Sequence, residues 1–295
     1  MESVQISPGR LLGKRSLLEA GSLMCVTGHF NVGVRSCGMY SDRHVTLQLN
    51  FSGDTCVRQW SHAVQPGDIV CVPPGADHQG TYRGPGAYLN ISLLPEELTS
   101  AFTGEARLAD RSFWSHRQIL RPAAGFGVQV AHALTDLITR LERAKQPLSA
   151  NAAEFYRLSI VDAFAVAAST AGQPMRAVPL RDSGKLVRAV EHYLDNRAFR
   201  PVHISEVCSA LDIPRRSLYR AFDDILGIGP VAFFRHKRLC AAHAILRSTS
   251  AAEISVTQVA LESGFTQLGR FAQLYRALFD ELPSQTRRRQ TKPGS

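Results

Sequence analysis

Arg215, Arg216, Tyr219 and Arg220 are the side chains in this 295-residue sequence whose types and spacing first suggest chemistry. In a helix, Leu218, Phe222 and Ile225 share one face, which leaves the three arginines and the tyrosine together on the other. A guanidinium presented in this way can pair with guanine O6 and N7, worth about 1–3 kcal/mol of discrimination, or it can take a phosphate. The same spacing suits any surface helix, so the surrounding elements decide what it means.

Just upstream, Ile204, Val207 and Leu211 make an apolar stripe on a short first helix, Ile213 plugs a turn, and Pro214 fixes φ for a new start. His203 to Leu226 therefore predicts a helix-turn-helix. A second copy runs from Ile254 to Phe279. There Ser255 and Gln258 spell a capping box, Val256, Val259 and Ala260 point inward, Gly264 supplies the tight or left-handed turn, and Phe265 closes the small core behind it. Phe271, Leu278 and either Tyr275 or Leu274 are the inward positions of its second helix. The outward positions that match the first copy are Leu268, Gly269, Ala272 and Gln273. Of these only Gln273 has a head group suited to adenine, so weaker or more apolar readout is expected from the second copy. Thr266 and Gln267, at the helix start, are expected at phosphates. Between the copies, Pro230 to Arg247 reads as one helix with Phe234, Leu239, Ala242, Ile245 and Leu246 inward, holding the copies at a fixed distance.

From Gly184 to Arg288 the chain resembles the DNA-binding domain of the AraC/XylS family of bacterial transcription regulators. The resemblance rests on ISEVCSAL, RRSLYRAF, the G-x-x-P of Gly227 to Pro230, RHKRL, ISVTQVALESGF, and FAQLYRALF followed by Pro283. The sequence departs from the family pattern at Asp212, Pro214, Gln273 and Asp280, which puts individual base contacts in question rather than the fold. The resemblance implies promoter DNA as a partner, RNA polymerase as a further one, and transcription activation as the outcome.

Charge agrees with a polyanion partner. Residues from Gly184 onward carry 17 Lys and Arg against 10 Asp and Glu, 17 − 10 = +7, whereas the preceding residues carry 17 against 15, 17 − 15 = +2. Neutralising phosphates supplies most non-specific affinity for DNA. No apolar run long enough for a membrane span and no signal peptide are legible, which predicts a cytoplasmic protein with no membrane partner. The six cysteines are widely spaced with no C-x-x-C pair, and are expected as free thiols.

The first hundred residues have a different texture. SLMCVTGHF, HVTLQLNF, DIVCVPP and AYLNISL are short runs rich in β-formers, separated by Gly, Pro, Asp and Asn, which predicts an antiparallel barrel or sandwich. GDIVCVPPGADH also resembles the second motif of cupin barrels. In metal-binding cupins its histidine, here His78, is a ligand, but the partner H-x-H is missing, so neither a metal nor a cofactor is expected. After Leu94 the pattern turns helical. Ser112 to Arg121 reads as loop. Gly127 to Lys145 and Ala152 to Thr170 read as an amphipathic hairpin, with Leu134, Leu137, Ile138 and Leu141 inward on one helix and Phe155, Leu158 and Phe164 on the other. In the resembled family this region commonly carries dimerisation. Ala171 to Asp182 reads as linker, and Ser183 as the cap of the next helix.

The expected fold class is thus α+β in two domains. Residues 1–172 form a cupin-like antiparallel β-barrel with a helical hairpin, 173–183 a linker, 184–290 an all-α domain of two helix-turn-helix units joined by a helix, and 291–295 a tail. The expected function is a homodimeric, sequence-specific regulator whose barrel takes a small-molecule effector near Tyr40, Trp60, His78 and Tyr82. A cupin-like enzyme is the alternative, but no metal triad, paired carboxylates or G-x-S-x-G supports it. A regulator whose barrel is a protein-interaction module is the other.

Overall fold

The computed structural model describes residues 2–51, 57–102, 104–144, 148–176, 182–197, 200–248 and 254–290. Cys56, residues 177–181 of the expected linker and the tail 291–295 lie outside these. In chain order the strands are β1 (Glu2–Gln5), β2 (Gly13–Ala20), β3 (Leu23–Phe30), β4 (Val34–Met39), β5 (Val45–Asn50), β6 (Val57–Gln59), β7 (His62–Val64), β8 (Ile69–Val72), β9 (Asp77–Tyr82), β10 (Gly86–Leu93), β11 (Gln118–Leu120) and β12 (Met175–Arg176). The helices are α1 (Pro95–Ala101), α2 (Ala106–Ala109), α3 (Phe126–Ala144), α4 (Ala150–Ser169), α5 (Asp182–Asp195), α6 (Ile204–Ala210), α7 (Arg215–Leu226), α8 (Pro230–Ser248), α9 (Val256–Glu262), α10 (Leu268–Phe279) and α11 (Pro283–Gln290).

The strands form two sheets, ordered β1-β4-β9-β6-β7 and β12-β11-β8-β5-β10-β3-β2. Neither order returns to its first strand, so among the described residues the strands form two open sheets and not one closed barrel. The larger sheet is buried on both faces. On β5, Val45, Leu47 and Leu49 are buried, and so are the alternate residues Thr46, Gln48 and Asn50; successive strand side chains point to opposite faces. β10 repeats this, and the register sets Gln48 opposite Asn90 and Thr46 opposite Ser92. The apolar set, with Leu89 and Ile91, joins Leu98, Trp114, Leu134, Ile138, Ile160 and Phe164 in one core. The helical hairpin therefore covers this sheet.

Two glycines fix where the hairpin docks. A Cβ on Gly127, at the start of α3, would lie 2.1 Å from the Gly67 carbonyl oxygen, and Gly67 itself has φ +88°. Next to it the buried Asp68 accepts from Arg121 Nε and Nη2, both at 2.9 Å, and from the Gln65 amide at 2.8 Å. The glycine of the cupin-like motif thus serves helix docking. Gly127→Ala is expected to cost about 1–3 kcal/mol or more, because the backbone contact must open; urea unfolding of the purified variant measures it.

Several expectations change. Ser112 to Arg121 is ordered as a 3₁₀ turn (Arg111–Ser115) followed by β11. Trp114 Nε1 donates to the Leu108 carbonyl at 2.8 Å and Gln118 Nε2 to that of Phe113 at 2.7 Å, which satisfies buried polar groups without a long element. Met175 and Arg176 pair with β11, so the expected linker begins with a strand. On α4 the buried set is Ile160, Val161, Phe164, Ala167 and Ala168, whereas Phe155 is 65% and Leu158 47% exposed. Phe155 lies two and a half turns before Phe164, hence on the opposite face. Ser183 sits inside the first turn of α5 rather than capping it, and its Oγ contacts Asp224 Oδ2 at 3.1 Å.

Clustering of contacts divides the chain into two compact units. One contains Leu12–Asn31 and Ser36–Pro179; the other contains Ser3–Leu11, Val32–Arg35 and Leu180–Ser295. Two N-terminal segments, expected with the first domain, therefore count with the helices. Val4 and Ile6 enter a core with Val187 and Val190 of α5, Ile204 and Val207 of α6, Leu218 and Phe222 of α7, and Phe233 and Phe234 of α8. A second core gathers Leu239, Ala242 and Leu246 of α8 with Val259, Ala260, Phe265, Phe271, Tyr275 and Leu278. Because α8 contributes side chains to both cores, it is the rigid joint that the sequence predicts. Arg35 and Glu191, 3% and 6% exposed, form a two-point ion pair within this unit, Nε to Oε1 at 2.9 Å and Nη2 to Oε2 at 3.0 Å.

Candidate nucleic-acid interface

The two helix-turn-helix units are built alike, down to their ends. α6 is capped by His203 and α9 by Ser255, whose Oγ accepts from the Gln258 amide at 3.0 Å. Only half of the expected capping box forms, because Gln258 Nε2 donates to Glu262 Oε1 at 2.9 Å. Both turns need a left-handed residue, supplied by Asp212 (φ 50°) and Gly264 (φ 76°). Asp costs little there, since its short side chain tolerates that region better than most. The turn residues Ile213 and Phe265 donate their amides to Cys208 O and Ala260 O at 3.0 and 2.8 Å. α7 and α10 then end in left-handed caps, Gly227 (φ 71°) and Asp280 (φ 54°). The second turn is one residue longer, 271 − 264 = 7 against 218 − 212 = 6 between the left-handed residue and the first buried residue of the following helix.

On α7, Arg215, Arg216, Tyr219 and Arg220 are all exposed while Leu218, Ala221, Phe222 and Ile225 are buried, so the expected cationic face is present. The Arg215 guanidinium lies 5.5 Å from the centre of the Tyr219 ring and 3.5 Å from its hydroxyl, and this contact raises its already high pKa. The stacking preorganises one cation. Arg216 has no acidic partner among the described residues, and Arg220 meets Asp224 only at 4.0 Å. Such an exposed pair is worth little, so both guanidinia remain available to a polyanion.

Thr266 and Gln267, just before α10, and Leu268, Gly269 and Gln273 on it are exposed, and Ala272 is half-buried. Gln267 takes the N-cap position with no side-chain cap bond. Two cations absent from the sequence-based set also stand on this helix, Arg270 and Arg276, both exposed. Arg270 follows Gly269 on the outward side, and the run LGRFAQLYR spells both at helical spacing from Gln273, so the signal was present. Arg238 of α8 braces this unit, with Nη1 donating to Gly264 O at 3.0 Å and its guanidinium 4.7 Å from the Phe265 ring centre.

The four residues expected at an effector are brought together only in part. Tyr40 and His78 have ring centres 4.7 Å apart. Gln48 connects the tyrosines: Tyr40 Oη donates to Gln48 Oε1 at 3.1 Å, and Gln48 Nε2 donates to Tyr82 Oη at 2.7 Å. Burial pushes both phenols up, so they stay protonated donors. Trp60 stands apart, in the turn between β6 and β7 with φ 55°, its Nε1 donating to Asp77 O at 2.8 Å. The remaining polar residues of this cluster, Asn50, Gln59 and Asn90, were missed by sequence reasoning, although T-L-Q-L-N on β5 spells an alternating polar face. Asn50 Nδ2, Gln59 Oε1 and Asn90 Oδ1 are buried without a hydrogen-bond partner among the described residues.

A family described as "Helix-turn-helix domain" matches residues 207–289. The XylDLEGF operon transcriptional activator of Pseudomonas putida is 35% identical over 99 residues, 34% of this chain and 31% of that protein. The XylDLEGF operon transcriptional activator 1 of the same organism aligns over 262 residues at 25% identity, 88% of this chain and 76% of that one. Among solved structures, a transcriptional regulator with an AraC-type DNA-binding domain from Chromobacterium violaceum is 29% identical, covering 37% of this chain and 95% of that chain with a TM-score of 0.34. In these first curated relatives the chain spans about a third of their length.

Proposed function

The chain belongs to the AraC/XylS family of transcription regulators, and from that premise we propose that it binds promoter DNA through α7 and α10 in successive major grooves and activates transcription, with RNA polymerase as a further partner. The observation that carries this reading is the repeated unit with matching left-handed caps, whose second helix presents Arg215, Arg216 and Arg220 outward in one copy and Arg270 and Gln273 in the other. Arg216, Tyr219 and Arg220 are assigned to base edges or their near neighbourhood, as are Leu268, Gly269, Ala272 and Gln273; Thr266 and Gln267 are assigned to phosphates, helped by the helix start, and Arg270 and Arg276 to phosphates by their charge. Arg216→Ala and Arg220→Ala are each expected to lose about 1–3 kcal/mol on the preferred site and to relax preference at one or two base pairs. Binding titrations against preferred and scrambled duplexes test this; equal losses on both would reassign the residue to phosphate.

We further propose that the N-terminal unit is a cupin-like sensor for a small effector. Support comes from the buried carboxamide atoms of Asn50, Gln59 and Asn90 without partners, since buried polar atoms are rarely left so. The hydroxyl and carboxamide groups of Tyr40, Gln48 and Tyr82 suit an uncharged polar molecule. Homodimerisation is assigned to the outer face of α4, where Phe155 and Leu158 are exposed. Leu134 and Ile138 of α3 are consumed by the unit's own core. Sedimentation of the intact chain at micromolar concentration is expected to give a dimer that Phe155→Asp with Leu158→Asp converts to monomer; a wild-type monomer contradicts the assignment.

A further inference from the structure

The polar cluster of the N-terminal unit joins its two sheets: β5 and β10 supply Gln48, Asn50 and Asn90, and β6 and β9 supply Gln59 and Tyr82. Gln48 stands at its middle with every hydrogen-bonding position used. Its Nε2 donates to Asn50 Oδ1 at 2.9 Å and to Tyr82 Oη at 2.7 Å, while its Oε1 accepts from Tyr40 Oη at 3.1 Å and from Gln59 Nε2 at 3.3 Å. Tyr82 Oη donates in turn to Asn50 Oδ1 at 2.7 Å, and Asn90 Nδ2 donates to Tyr40 Oη at 3.4 Å. The network stops short at its ends. Asn50, Gln59 and Asn90 are 2%, 0% and 7% exposed, and each keeps one amide atom without a partner among the described residues.

Those open atoms specify a complement. Asn50 Nδ2 is a donor and calls for an acceptor, whereas Gln59 Oε1 and Asn90 Oδ1 are acceptors and call for donors. All three belong to side chains one or two hydrogen bonds from Gln48. An anion would set its oxygens against two carbonyl oxygens that repel them. An ammonium ion would lose its hydration with no carboxylate in the network to compensate it. Burial pushes the Tyr40 and Tyr82 phenols up, so neither tyrosine supplies a charge. Arg15, exposed on β2, draws slightly against the burial that raises Tyr40 and Tyr88, so a carboxylate is the competitor that a test must include. The rings of Phe30 and Tyr82, edge to face with centres 5.0 Å apart, give the cluster an apolar flank.

We propose that this cluster takes a neutral primary carboxamide, whose carbonyl accepts from Asn50 Nδ2 and whose amino group donates to Gln59 Oε1 and Asn90 Oδ1, an assignment that rests on the sensor reading above and narrows it to one chemical class. A carboxamide carries an acceptor and two N–H donors on one small planar head, so a single group answers all three open positions. A hydroxyl has one proton to give and a ketone none. Ordered water is the other occupant that such atoms find, and it would bring no preference among organic molecules.

The test is calorimetry of the intact chain with isobutyramide, 3-methyl-2-butanone and isobutyrate, three molecules of nearly one shape that differ in donors and charge. Isobutyramide is expected to bind, the ketone to bind at least about tenfold more weakly, and isobutyrate more weakly still. Asn90→Leu and Gln59→Met are each expected to weaken isobutyramide about tenfold without lowering the melting temperature of the unliganded protein, because an apolar group of like shape removes the cost of an unsatisfied buried amide. No binding of isobutyramide would leave the open atoms to water and overturn the proposal. Equal binding of the ketone, tighter binding of isobutyrate, or amide binding untouched by both variants would each overturn it too. Affinity for a selected DNA duplex, measured with the same three molecules, separates this site from the sensor reading. Isobutyramide bound in the expected pattern without changing DNA affinity refutes the sensor and keeps the site. Isobutyrate bound more tightly than the amide and changing DNA affinity keeps the sensor and refutes the carboxamide.

Discussion

Arg35→Ala is expected to destabilise the C-terminal unit by about 3–5 kcal/mol, because it strands a carboxylate that burial would otherwise not tolerate. Arg35 and Glu191 are 3% and 6% exposed and meet at two points, 2.9 and 3.0 Å. The Coulomb gain of such a pair roughly offsets its desolvation, whereas removing one partner leaves only the cost. The double change Arg35→Met with Glu191→Leu should therefore recover most of the loss and can equal the wild type. Urea unfolding of the three proteins separates these cases. A loss below about 1 kcal/mol for Arg35→Ala would mean that the pair behaves as a solvated surface bridge. The same reasoning predicts that a fragment beginning at Gly184 is less stable than its sequence suggests. It lacks Arg35 and also Val4 and Ile6, which belong to the core of that unit.

Phe222→Ala is expected to cost about 3–5 kcal/mol and to abolish specific DNA binding. The ring is fully buried at the junction of α7 and α8, with Phe233 and Phe234 centred 5.5 and 6.0 Å away. It is the part that fixes α7, and with it Arg216 and Arg220, against the linker helix. Fluorescence of Trp60 and Trp114, both in the N-terminal unit, reports that unit separately and should show its unfolding unchanged. A Phe222→Ala protein that still selects its site with wild-type affinity would show that α7 does not need α8 to present its cations.

The helical half was legible because helix burial leaves a local signature. Leu218, Phe222 and Ile225, or Phe271, Tyr275 and Leu278, recur every three or four residues, and left-handed turns announce themselves at Gly264 and Gly227. What was not legible is long-range. Nothing near Val4, Ile6 or Arg35 reveals that their partners lie near Val187, Phe222 and Glu191, because pairing across such separations leaves no local period. Phe155 and Leu158 misled for the opposite reason. They continue an apolar composition on α4 while standing on its outer face, so hydrophobic content was mistaken for phase. In the sheets, strand existence followed from β-branched runs, but their division into two open sheets depended on pairing that alternation cannot encode. The polar side of β5 was visible in Thr46, Gln48 and Asn50. Its significance emerged only once the register set Asn90 opposite Gln48.

Selection of duplexes from a random-sequence library by the intact protein tests the proposed double readout. The account predicts a bipartite preferred site with two blocks centred about 10–10.5 base pairs apart, one per groove. The block read by α7 should carry the more stringent sequence, because Arg216 and Arg220 offer two bidentate partners where α10 offers Gln273 beside Leu268, Gly269 and Ala272. Repeating the selection with Arg216→Ala should blur that block and leave the other intact. A single contiguous block, or a bipartite site unchanged by Arg216→Ala, would contradict it.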